Sequence, residues 1–137
     1  MNLNYLSALG GLIGFLFGAW SITLTIFLVV QLLDLISVVL KHAKQGKLNS
    51  SELKLEIIGK VGVWIVLILA HFVDVVLFGG ATIVQTAITF TLIGQEGLSI
   101  LENLNFLGIN VPASLSKYFK EIETKNDENS QEQEKDE

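Results

Sequence analysis

The chain has 137 residues, half of them hydrophobic and only 17% charged, with a mean hydropathy of +0.55. It has no cysteine, which excludes disulfides, thiol catalysis and cysteine metal sites. The formal net charge of −5 describes its end more than its body, because eight charged residues lie in the last fourteen positions and none precedes Asp34. No basic patch is interleaved with aromatics, so nucleic-acid binding has no support. This distribution reads as one all-α integral membrane domain, residues 1–123, followed by an acidic tail.

Residues 1–19 form an N-terminal apolar segment. No Lys or Arg precedes its apolar run, and the run leads into a further span, so it lacks the layout of a secretory signal peptide. Gly10, Gly14 and Gly18 fall four apart and line one face of a helix. Small residues at that spacing let helices approach closely in lipid; the other reading is that glycine leaves the segment lying at the interface. From residue 5 to residue 40 one straight helix would run roughly 54 Å, too long for one upright span, so the chain must bend near Gly18, tilt strongly or project from the bilayer.

Residues 20–40 are the first span. Trp20 suits the headgroup level, and Lys41 and His42 anchor the far end. Residues 41–60 form a loop with five lysines against Glu52 and Glu56. That excess makes the loop cytoplasmic by the positive-inside rule. Asn49 or Ser50 can cap a short helix there.

Residues 61–78 and 81–101 are two further spans joined by Gly79-Gly80, a reversal that needs no Cβ. The expectation is three transmembrane helices with the C-terminus cytoplasmic, or four if residues 5–18 also cross. Residues 103–110 connect to an amphipathic stretch, 111–123. There Val111, Leu115, Phe119 and Ile122 follow helical spacing, and the stretch reads as a short interfacial helix on the inner leaflet. Residues 124–137 contain no apolar side chain and are expected to be disordered.

Titratable and amide groups inside apolar runs are the candidate functional residues. Counting at about 1.5 Å per residue sorts them into two layers. Asp34, Gln95 and Glu96 are inner, with Glu102 closing the inner end of its span; His71, Asp74, Gln85 and Thr82 are outer. His71 and Asp74 are three apart, on one helical face, where a mutual ion pair or hydrogen bond would ease their immersion. Asp34 and Glu96 have no basic partner within the spans. They must be neutral, face water or pair between copies. Such groups serve as interhelical glue, as the lining of an oligomeric pore, or as a proton relay.

The run from Gln95 to Asn103, Gln-Glu-Gly-Leu-Ser-Ile-Leu-Glu-Asn, is followed by Leu-Gly-Ile-Asn-Val-Pro ending at Pro112. It resembles the closing motif of the toxin secretion/phage lysis holin family of Gram-positive bacteria and their phages. Phe17-Gly18-Ala19-Trp20, Leu33-Asp34 and Ala70-His71-Phe72-Val73-Asp74 are similar to further family elements. Ser37, Gln95 and Asn110 depart from the family's usual glycine, asparagine and proline. The resemblance implies a homo-oligomer in the host cytoplasmic membrane. Its lesions dissipate the membrane potential and let an endolysin, or a toxin, cross. It implies no catalytic residue, cofactor or metal. The partners are then copies of the chain, membrane lipids and the cargo. Gly10, Gly14, Gly18, Asp34, His71, Asp74, Gln85, Gln95, Glu96 and Glu102 are the pore and oligomerisation candidates. The competing readings are a small ion channel or transporter subunit, and an accessory membrane anchor.

Overall fold

The computed structural model describes residues 2–135, with side chains described as far as residue 125. Five helices follow in order: α1 (Leu3–Phe17), α2 (Ile22–Gln45), α3 (Ser50–Phe78), α4 (Ile83–Phe106) and α5 (Ala113–Lys135). α4 is the centre, packing against α2, α3 and α5, while α1 packs mainly along α3.

Helix ends follow local chemistry. Ser21 opens α2, its Oγ accepting from Leu24 N, and Asn49 opens α3, its Oδ1 accepting from Ser51 N at 2.9 Å. Gly79 and Gly80 both have positive φ and close the hairpin between α3 and α4. The bend near Gly18 is present: α1 ends there at φ +73.

The loop expected over 41–60 is mostly helix. α2 continues to Gln45 and α3 begins at Ser50, so only four residues, 46–49, separate them. The short capped helix is the first part of a 29-residue helix, about 44 Å long, that continues through Lys60 to Phe78. α2 and α3 are each long and apolar enough to cross a bilayer. α1 is apolar but only 15 residues. The helix expected as the third span, α4, falls outside that class, because Gln85, its threonines, Gln95 and Glu96 dilute its apolar run.

The C-terminal region differs from expectation more strongly. The amphipathic stretch starts at Ala113 and packs along α4 instead of standing apart on a leaflet. The tail is helical through Lys135, not disordered from Thr124; Asp136 and Glu137 lie outside the described residues. Glu, Gln and Lys favour helix, and the packed turns before them have already met the cost of nucleation.

The side chains are partitioned inside out. Among the described residues the buried set includes Gln31, Asp34, Ser37, His71, Asp74, Gln85, Thr89 and Asn103 beside a small apolar core of Leu24, Phe27, Leu67 and Ile93. Beyond the first turns of α3, where Glu52, Lys54 and Glu56 are exposed, the large outward side chains of α1, α2 and α3 are mostly Leu, Ile, Val and Phe. Water would penalise such a surface, whereas lipid would not.

Candidate functional site

The buried positions recur at three- and four-residue steps. On α2 they are Leu24, Phe27, Gln31, Asp34, Ser37 and Val38; on α3, Leu67, Ala70, His71 and Asp74, with Trp64 one turn and Lys60 two turns earlier on the same face. On α4 they include Gln85, Thr89, Ile93, Gly97, Leu101 and Asn103. Facing each other, these rows form a polar seam along the three helices.

At the inner end, Lys60 Nζ lies 2.7 Å from Asp34 Oδ2 and 2.8 Å from Glu96 Oε2, so one ammonium joins α2, α3 and α4. Asn103 Nδ2 donates to Ser37 Oγ at 2.9 Å, and Ser37 Oγ donates to Asp34 O at 2.8 Å. These contacts correct the expectation that Asp34 and Glu96 lack a basic partner. Lys60, placed by the sequence in a cytoplasmic loop, is that partner. A groove of about 350 Å³ opens beside the ion pairs, lined by Asp34, Glu56, Lys60, Gln95, Glu96 and Ser99. Gln95 is exposed on its edge, and Glu102 is exposed beyond it.

One turn outward, Gln31 joins α2 to α3 through both ends of its amide. Its Oε1 accepts from Trp64 Nε1 at 2.6 Å, and its Nε2 donates to Lys60 O at 3.2 Å. Trp64 stacks on Trp20 with centroids 6.0 Å apart, and Trp20 Nε1 donates to Thr25 Oγ1 at 2.7 Å.

The outer layer is organised by Asp74, which is fully buried. Its Oδ1 accepts from Val84 N at 2.8 Å and its Oδ2 from Gln85 N at 3.0 Å. Asp74 therefore caps α4 from across the hairpin, where Thr82 supplies no side-chain cap. The carboxylate meets the first free amides and the positive end of the helix dipole together. Gln85 Nε2 donates to Phe17 O at 3.1 Å, tying in the end of α1. The expected His71–Asp74 bond is not made, because the start of α4 occupies the carboxylate. His71 instead packs beneath Gly18, where a Cβ would come within 2.7 Å of its ring. Its Nδ1 is buried and has no partner among the described residues.

Of the candidate residues, the fold brings together Asp34 with Glu96, Asp74 with Gln85, and His71 with Gly18. Gly10 and Gly14 have nothing within 4 Å of a would-be Cβ, so of the glycine stripe only Gly18 is used for close packing within one chain. Sequence reasoning did not place Lys60, Gln31, Trp64, Ser37 or Asn103 in the site. The signal that could have found them is their phase on the buried faces.

At the lysine-rich end, Lys44 Nζ donates to Phe106 O at 3.3 Å, and Lys41 and Lys44 both lie over the Phe106 ring. On its other side α4 carries α5. The Phe119 ring covers Gly97, and the backbone of Glu123 lies against Gly94. Among the described residues no group of three His, Asp or Glu could hold a metal ion. The charged side chains act as struts between helices.

A protein-family model described as the bacteriophage holin family matches residues 11–124. An uncharacterised 14.9 kDa protein of Clostridium perfringens is 36% identical over 128 residues, covering 90% of this chain and 96% of its own. An uncharacterised protein of Clostridium perfringens strain 13 is 37% identical over 119 residues, covering 86% and 87%. A probable holin of Bacillus phage phi105 is 32% identical over 105 residues, 77% of each chain. No solved structure matches.

Proposed function

The chain belongs to the bacteriophage holin family, and from that premise we propose that it gathers in the host cytoplasmic membrane, associates with its own copies and opens lesions. Those lesions dissipate the membrane potential and give a muralytic endolysin a route to the cell wall. Family membership and the apolar helices point to a non-enzymatic membrane protein.

The observation that carries the reading is the inside-out partition. Beyond the charged first turns of α3, large apolar side chains cover α1, α2 and α3, and the Asp34 and Glu96 carboxylates of the seam share the Lys60 ammonium within the chain. A charge at the centre of a bilayer costs about 2.5–3.5 kcal/mol on insertion scales, and pairing Asp34 and Glu96 with Lys60 offsets that cost. With the seam satisfied, α4 crosses beside α2 and α3, and its lysine-rich end faces the cytoplasm. The open face at Gly10 and Gly14 supplies a surface on which copies can meet.

The test is inducible expression in a bacterial host with a potential-sensitive dye, with and without a co-expressed cytosolic endolysin. Growth arrest, loss of potential and endolysin-dependent lysis are expected. High expression with an intact potential would overturn the reading. Potential loss without endolysin-dependent lysis would indicate an ion channel instead, since a channel excludes folded proteins.

A further inference from the structure

Two kinds of outer surface meet in this molecule. α2 and α3 turn Ile36, Leu32, Ile65 and Leu69 outward, a surface suited to acyl chains. α5 turns Lys117, Lys120, Glu121, Thr124 and Lys125 outward. Yet α5 does not lie beyond the end of the bundle. It runs back along α4, with Phe119 on Gly97, Glu123 on Gly94, and Thr91 Oγ1 donating to Glu123 O at 3.4 Å. Lys125 Nζ sits 5.7 Å over the Phe90 ring. Phe90 is sixteen residues from Phe106, so Lys125 lies about 24 Å along α4 from its lysine-rich end. With α4 crossing as proposed above, and a hydrocarbon core only about 30 Å thick, this charged face lies at membrane depth.

α5 cannot escape by rolling over. Its inner side is keyed into the notch at Gly94 and Gly97, where any Cβ would collide with Glu123 and Phe119. Phe119 and Ile122 also pack against the core around Phe27 and Ile93. A face so fixed, carrying both signs of charge at that depth, requires water over it. One chain cannot enclose a water column, but several copies with this face turned inward can.

We propose that the outward face of α5 lines the aqueous lumen of the assembled lesion, with α2 and α3 towards lipid. The inference rests on the lesion-forming reading and assigns its inner wall. Mixed lysine and glutamate on that wall suit hydrated solutes of either charge, without strong ion selectivity.

Because the chain has no cysteine, single cysteines report one position each. Full-length Lys120→Cys and Thr124→Cys are reconstituted into phosphatidylethanolamine/phosphatidylglycerol vesicles loaded with a fluorescent dye. Lys54→Cys, exposed near the start of α3, is the control. Each is treated with a bulky polyethylene-glycol maleimide. Dye release through Lys120→Cys and Thr124→Cys is expected to fall several-fold after modification, with Lys54→Cys unchanged. Equal release from all three modified variants overturns the lining while leaving the lesion reading intact. Vesicles that stay sealed with the unmodified wild-type chain overturn both.

Discussion

Replacing Lys60 with methionine keeps the unbranched apolar stem of the side chain and removes the one cation shared by Asp34 and Glu96. Both carboxylates are largely buried, with 6% and 17% of their side chains exposed. Both reach the same Nζ, at 2.7 and 2.8 Å, so their oxygens are close to each other. Like charges about 5 Å apart at an effective dielectric of about 20 repel by roughly 3 kcal/mol. Removing one partner of a buried ion pair typically costs about 3–5 kcal/mol, for the same reason. Lys60→Met is therefore expected to lose about that much stability. The measurement is an unfolding titration in mixed detergent, followed by tryptophan emission, since Trp64 is hydrogen-bonded to Gln31 in the seam and stacked on Trp20. A second variant separates charge from packing. In Lys60→Met/Asp34→Asn/Glu96→Gln no charge is left in this cluster, and most of the loss is expected to return. A Lys60→Met chain as stable as wild type would refute the reasoning. So would a neutral triple variant as unstable as the single one.

Asp74→Ala strips the cap from α4 and is expected to cost up to about 2 kcal/mol; hydrogen exchange at the Val84 and Gln85 amides should accelerate, and unchanged exchange would show that the cap is dispensable. Gly97→Leu drives a side chain into the Phe119 ring and should loosen α5 from α4, read as faster tryptic cleavage at Lys117 and Lys120. Gly62→Ala has open space around it and should instead stabilise α3 by about 0.5–1 kcal/mol. The added methyl of Gly14→Ala meets nothing within 4 Å in the chain, so the unfolding midpoint should hold while the mass of the particle in nanodiscs falls. A lower midpoint with unchanged mass would place that glycine face in the fold of the single chain.

Much of this architecture is legible in the sequence because its punctuation is strong. The bend at Gly18, the reversal at Gly79-Gly80, the Asn49 cap and the sorting of polar groups into two layers all follow from spacing and turn chemistry. Lys60 was not legible as a core residue. A lysine at the mouth of an apolar run signals topology equally well, and its two partners are 26 and 36 residues away. The continuity of α3 was hidden by the same lysines, whose charge suggests a loop although their helix propensity is good. The position of α5 depends on Gly94 and Gly97 offering a notch, which composition cannot distinguish from glycine in any apolar run. His71 beside Asp74 invited a local pair. The fold spent the carboxylate on two amides of the next helix, and only the hairpin geometry reveals that choice.

The rungs of the seam have a consequence for timing. Greasy helix faces can creep past one another by small steps, each nearly as good as the last. Gln31 with Trp64, Asp34 with Lys60 and Glu96, Ser37 with Asn103, and Asp74 with the start of α4 allow no such creep. Sliding any helix by one residue would break several of these contacts at once. Under the proposed lesion-forming function, a subunit held this way would move only as a whole body, and the change from intact to breached membrane would be abrupt.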